Sequence, residues 1–189
     1  DQVYQKELRA FGPAVVRKYL RLAKQLADQT IDPIELNDPV VHVIGMVKHA
    51  LEAGGVSPEE SMVEAASFMA SEAAAMIPTN RIRAALYAHE AWKMAGGMKK
   101  PTASFWLDVE MLSAVLPYCD AIVTERHFAH ALKQVKEYLP SECQDVRVYS
   151  VRKLCDFEKY LDELIAAVPA DQREAAEALY LGKGGDGPD

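Results

Sequence analysis

Leu116-Pro117-Tyr118-Cys119-Asp120-Ala121-Ile122-Val123-Thr124-Glu125-Arg126-His127-Phe128 is the stretch on which the fold turns. Ahead of it, Phe105, Val109, Leu112 and Leu116 recur at helical spacing from Thr102, and Pro117 stops that helix. Within it, Asp120 to Thr124 is a short β-branched run. Beyond it, a helix-compatible segment extends from Arg126 to about Leu139, and Asp145-Val146-Arg147-Val148-Tyr149-Ser150 is a second strand-like run. The intervening helix is long enough for a crossover and too apolar to stand free, so the two runs are expected to be adjacent parallel strands. The expected class is α/β, predominantly helical, with a small parallel sheet.

Upstream, the chain reads as helix. Residues 2 to 29 place Val16, Tyr19, Leu20, Leu22, Ala23 and Leu26 near one face, and Gly12-Pro13 predicts a break into two pieces. Asn37-Asp38-Pro39 opens a helix that Gly54-Gly55 closes after Ala53, although Val40-Val41-His42-Val43-Ile44 reads alternatively as a strand. Ser57-Pro58-Glu59-Glu60 opens the next, running to about Met76 before Pro78. Thr79 or Asn80 caps another, with Ile82, Ala85, Leu86 and Trp92 as its buried stripe and Gly96-Gly97 as its end. The last helices are expected over about Asp156 to Val168 and Asp171 to Leu181. Gly182 to Pro188 is a flexible tail by composition, without the strand and helix that a phosphate loop requires. The chain thus divides into a helical extension (1–56), a C-terminal portion (57–181) and a tail (182–189).

At 189 residues the chain fits one domain, or a core domain with a helical appendage, and 50% hydrophobic with 26% charged residues excludes wholesale disorder. A net charge of -7 excludes general coating of nucleic acid and leaves only local basic patches, of which Arg81, Arg83, Lys99 and Lys100 are the candidate; clustered lysines also read as a solvated loop. Cys119, Cys143 and Cys155 are odd in number and lack CxxC spacing, so they read as thiols in a reducing compartment. No apolar run approaches the roughly 20 residues that span a bilayer, and the amino end has no signal-peptide character, so no membrane is expected and the cytoplasm is the expected location. The first residue is not methionine and a helix starts at once, which suggests a piece of something longer. Two parallel strands make a poor independent sheet. Further strands are therefore expected, either from Val40 to Ile44 or from a polypeptide segment outside this chain.

An acid inside a helix, Asp108, followed by a strand ending in Thr124-Glu125, together with the Leu116 to Asp120 run, resembles a PIN-like family of bacterial proteins. Pro78-Thr79-Asn80-Arg81-Ile82, Lys99-Lys100-Pro101, Val148-Tyr149-Ser150-Val151-Arg152 and Phe157 to Leu164 resemble it too, so that the likeness covers about residues 60 to 165; only the segment from Leu116 to Glu125 is specific. The resemblance implies carboxylates that bind one or two Mg²⁺ or Mn²⁺ ions and an endoribonuclease cleaving RNA with activated water. Carried over residue by residue, Asp108 matches the helix acid, Glu125 the strand-end acid and Glu72 the mid-domain acid, while Asp120 belongs to the motif as a further metal ligand. The resemblance also implies that the carboxylates of Asp108 and Glu125 lie within about 8 Å of each other. Two departures stand out: the strand-end acid is usually aspartate, and the first-strand aspartate is absent, since Asp32 and Asp38 adjoin prolines in loops. A degenerate PIN-like domain serving as a non-catalytic interaction module, with a protein partner or a second copy, is the alternative.

Each candidate also has a plain reading. Asp108 and Glu72 read as solvated helix acids, Glu125 as an acid favoured by the amino end of a helix, and Asp120 as a turn residue. His127 and His130 are three apart on a helix, a spacing that suits zinc, with no further ligand to complete a site. Cys119 reads as a core thiol.

Overall fold

The computed structural model describes residues 1–32, 35 and 38–180. Its first element, α1 (Gln2–Ala27), runs unbroken through Pro13, contrary to the break expected at Gly12-Pro13. The reason is tertiary. A Cβ on Gly12 would lie 1.7 Å from the Met69 carbonyl oxygen, so α1 and α3 meet backbone to backbone at this residue and hold the helix through the proline. Asp38 caps α2 (Pro39–Ala53), its carboxylate accepting from the Val40 amide at 3.0 Å, and Gly54 ends it. Val40 to Ile44 is therefore helical and supplies no strand.

Ser57 caps α3 (Pro58–Ala70). The helix expected to reach Met76 is split instead, because Ser71 turns extended and its Oγ accepts from the Ala74 amide to open α4 (Glu72–Ala75). Helix α5 (Pro78–Ala95) starts with Pro78 in its first turn. Neither Thr79 nor Asn80 is the cap: Asn80 is buried within the first turn, where its Nδ2 donates to the Ala74 carbonyl at 2.7 Å. Ile82, Ala85 and Leu86 are buried as expected, whereas Trp92 is 71% exposed.

Helix α6 (Ala103–Val115) passes through a 3-10 turn (Leu116–Tyr118) into β1 (Ala121–Thr124). Then come α7 (Arg126–Gln134), which stops short of Leu139, two 3-10 turns, β2 (Arg147–Ser150), α8 (Leu154–Ala167) and α9 (Ala170–Tyr180). β1 and β2 are parallel and adjacent, with Ala121 opposite Arg147 and Thr124 opposite Ser150. The crossover unit is as expected, and these two strands are the whole sheet among the described residues. Leu181 and the expected tail at 182–189 lie outside the described residues.

Side chains alternate across the sheet. Ile122 and Val148 pack on the main core, built from Tyr4 and Leu8 of α1, Ile82 and Leu86 of α5, Val109 and Leu112 of α6, and Phe128 and Leu132 of α7. Tyr149 meets Phe157 and Tyr160 of α8, the Tyr160 ring nearly parallel at 5.9 Å. A second core joins Val15 of α1, Ile44 of α2, and Ala65 and Met69 of α3, so α1 serves both. No helix is long and apolar enough to cross a membrane among the described residues.

Candidate functional site

Because the strands are parallel and in register, Thr124 and Ser150 bring their carboxyl ends together. Open α/β sheets bind ligands at that edge. The chain leaves β1 as Glu125, entering α7, and leaves β2 as Val151 and Arg152. Arg126, His127 and His130 of α7 face His89 and Lys93 of α5 across an open cleft of about 680 Å³, with Arg152 and Glu125 on its walls.

Glu90 lies beneath this cleft, 4% exposed. Its Oε1 is 2.7 Å from Lys93 Nζ and 3.0 Å from His127 Nε2. A buried carboxylate needs such partners, and in return it fixes where Lys93 and His127 stand. Burial pushes the His89 imidazole below its usual value; the neighbouring Glu90 opposes that shift, and Lys93, His127 and His130 reinforce it. Sequence reading passed over Glu90, because an acid three residues before a lysine on a helix looks like a solvated surface pair.

The four acids singled out by the resemblance are dispersed. Glu125 is exposed on the rim of the cleft, as its place at the end of β1 requires. Asp120 sits at the other end of the same strand, in a hollow with Asp145 and Arg147. Five residue-to-residue steps of extended chain separate the two acids, roughly 16 Å at about 3.3 Å per step, so one ion cannot join them. Glu72 opens α4 and borders a third cleft, of about 520 Å³, with Arg9 and Arg81. Asp108 is half-buried on α6 and does not border the cleft that Glu125 faces.

The acid of α6 with a defined role is Glu110. Arg83 Nε donates to it at 2.8 Å and Nη2 lies 2.6 Å away, while the Tyr87 hydroxyl donates at 2.7 Å. Arg83 is itself buried, bonded to Asn80 Oδ1 at 2.7 Å and set 4.1 Å over the Phe11 ring. It therefore leaves the basic patch proposed with Arg81, Lys99 and Lys100. Among the described residues no group of three or more His, Cys, Asp or Glu is arranged to hold a metal ion. Mg²⁺ and Mn²⁺ need several oxygen ligands with near-octahedral order, and the carboxylates of the described residues are not gathered to meet that requirement. Cys119, half-buried, donates its thiol to the Val115 carbonyl at 3.3 Å.

Comparison with protein families, with curated proteins and with solved structures finds no match.

Proposed function

We propose that this chain is a non-catalytic interaction module of PIN-like type whose partner is a second copy of itself. One observation carries this reading: the parallel sheet has two strands among the described residues, and the helix that feeds it leaves an apolar stripe uncovered. Leu107, Met111 and Val115 recur every four residues along α6, 62%, 60% and 44% exposed, and Tyr118 in the following turn is 86% exposed. A row of large apolar side chains leading into a strand with an unpaired edge is a surface that needs covering.

The apolar character of the stripe fits a second copy as the cover. Each chain carries -7, so two copies repel wherever acids face each other. Leu107, Met111, Val115, Tyr118 and Ala121–Thr124 bear no charge themselves, so contact along them brings no acids together, while Asp120 and Glu125 at the two ends of β1 would face each other across an antiparallel pair and limit its affinity. A two-fold axis would set β1 antiparallel to its mate and stripe against stripe, giving four strands and a self-complementary contact.

Light scattering coupled to size-exclusion chromatography tests the reading. Dimers are expected from low to high micromolar protein, with monomers for Leu107→Lys combined with Met111→Lys and an unchanged circular dichroism spectrum. A wild-type chain that stays monomeric throughout overturns the proposal.

The metal-dependent endoribonuclease is a second reading, favoured by the position of Glu125 at the carboxyl edge of a parallel sheet among cations that suit RNA phosphates. It requires carboxylates beyond those the described residues gather. Mn²⁺ titration calorimetry with a parallel RNA cleavage assay separates the two readings. The module reading expects no saturable Mn²⁺ site and no effect of Asp108→Asn or Glu125→Gln. Cleavage that is lost in Asp108→Asn would establish the enzyme instead.

A further inference from the structure

We infer that the cleft at the carboxyl ends of β1 and β2, with the hollow beside it at Trp92, is a site for a free nucleoside diphosphate. This inference is independent of self-association through α6.

In a chain of net charge -7, the cleft is lined by three permanent cations, three histidines and one carboxylate, Glu125. Lys93 is answered by Glu90 below it. Arg126 and Arg152 are different: among the described residues neither guanidinium has an ion-pair or side-chain hydrogen-bond partner, and both border the cleft. Two guanidinium forks bordering one cleft suit phosphate oxygens, which accept paired N–H donors. The amino end of α7 opens on the same space, and Glu125 at its cap position makes no capping hydrogen bond, so the first-turn amides remain available to an anion. Cleft, cations and helix end select negative charge, with two carboxylates opposing: Glu125 on the rim and Glu90, whose charge is answered by Lys93 and His127.

His89 is shared with a second hollow, of about 220 Å³, walled mainly by Ala85, Ala88, Val135 and Tyr138 and bordered by Trp92, with Asp1 and Gln134 as polar groups on its lining. The rings of His89 and Trp92 are 6.3 Å apart. A tryptophan exposed at the edge of a largely apolar hollow presents a face on which a base stacks, and Asp1 and Gln134 offer polar groups to the base edge. The cationic cleft next to it takes the phosphates. A nucleotide, planar at one end and anionic at the other, matches this pairing, whereas inorganic phosphate alone leaves Trp92 unused.

Titration calorimetry of the full chain without divalent metal, using ADP, adenosine and pyrophosphate, tests the inference, with tryptophan emission as a second readout. ADP is expected to bind and to quench emission, and Trp92→Ala removes that quench while Trp106 remains. Arg126→Gln with Arg152→Gln should weaken ADP at least about tenfold, the scale of losing two charged hydrogen bonds, and leave the melting temperature unchanged because both side chains are exposed. Glu125→Gln should tighten ADP a few-fold, opposite to the loss expected of a metal ligand, so this test and that of the enzyme reading fail independently. No ADP binding to the wild type, ADP affinity unmoved by the double arginine variant, or binding only by a longer oligonucleotide overturns the inference.

Discussion

Alanine in place of Gly12 should destabilise the protein, although helix propensity alone argues the reverse. In an exposed helix interior, glycine to alanine stabilises by about 0.8–1 kcal/mol. At position 12 the new methyl would meet the Met69 carbonyl oxygen at 1.7 Å, where contacts below 3.0 Å are essentially never found. The backbones of α1 and α3 must part by at least about 1.3 Å, the difference between those distances. Opening that contact loosens the second core, where Val15, Ala65 and Met69 are all buried. Overpacking a tight contact costs typically about 1–3 kcal/mol, and a backbone obstacle with no rotamer to yield belongs at the upper end. Net of propensity, a loss of about 2 kcal/mol is expected, or a melting temperature lower by roughly 4–8 °C for a chain of this size. Gly45 on α2 is the internal control, with nothing within 4 Å of its would-be Cβ. There alanine should stabilise by about 1 kcal/mol. Urea unfolding followed by circular dichroism reads both. If Gly12→Ala is neutral or stabilising, the close approach of α1 and α3 is wrong, and with it the reason given for an unbroken α1.

Asn80→Ala should cost about 2–4 kcal/mol in urea unfolding, because it strips the buried Arg83 guanidinium of one acceptor and the Ala74 carbonyl of its donor. Glu90→Ala should cost about 2–3 kcal/mol, toward the low end for a broken buried pair since Lys93 keeps some solvent contact, with a side chain 14% exposed. Tyr87 carries a pH signature: burial first, then its hydrogen bond to the Glu110 carboxylate, holds the phenol well above its usual value. The unfolded chain therefore releases this proton before the native chain does, so the stability from Tyr87 is complete below about pH 10 and falls as pH rises further. Tyr87→Phe should flatten the stability profile above about pH 10, and an unchanged slope would remove Tyr87 from the account.

Local chemistry determined much of this protein. Asp38 and Ser57 next to prolines, and paired glycines after Ala53 and Ala95, marked helix ends without reference to the rest of the chain, because caps act within one turn. The crossover from β1 through α7 to β2 was legible because two β-branched runs separated by a helix leave parallel pairing as the economical arrangement. Tertiary structure decided what local chemistry left ambiguous. Val40 to Ile44 became helix because Asp38 caps it and Ile44 is buried in the core with α1 and α3. α1 continues through Pro13 because Gly12 lets α3 approach. The site was the least legible feature. Asp120 and Glu125 are close in sequence, yet extended backbone sets them at opposite ends of β1. Lys93 with Glu90, His127 and Arg152 come from three segments far apart in sequence, and the fold gathers them at one edge of the sheet. Spacing along a chain becomes proximity in space only through the packing of helices on the sheet, and that packing is set by cores contributed from both ends of the sequence.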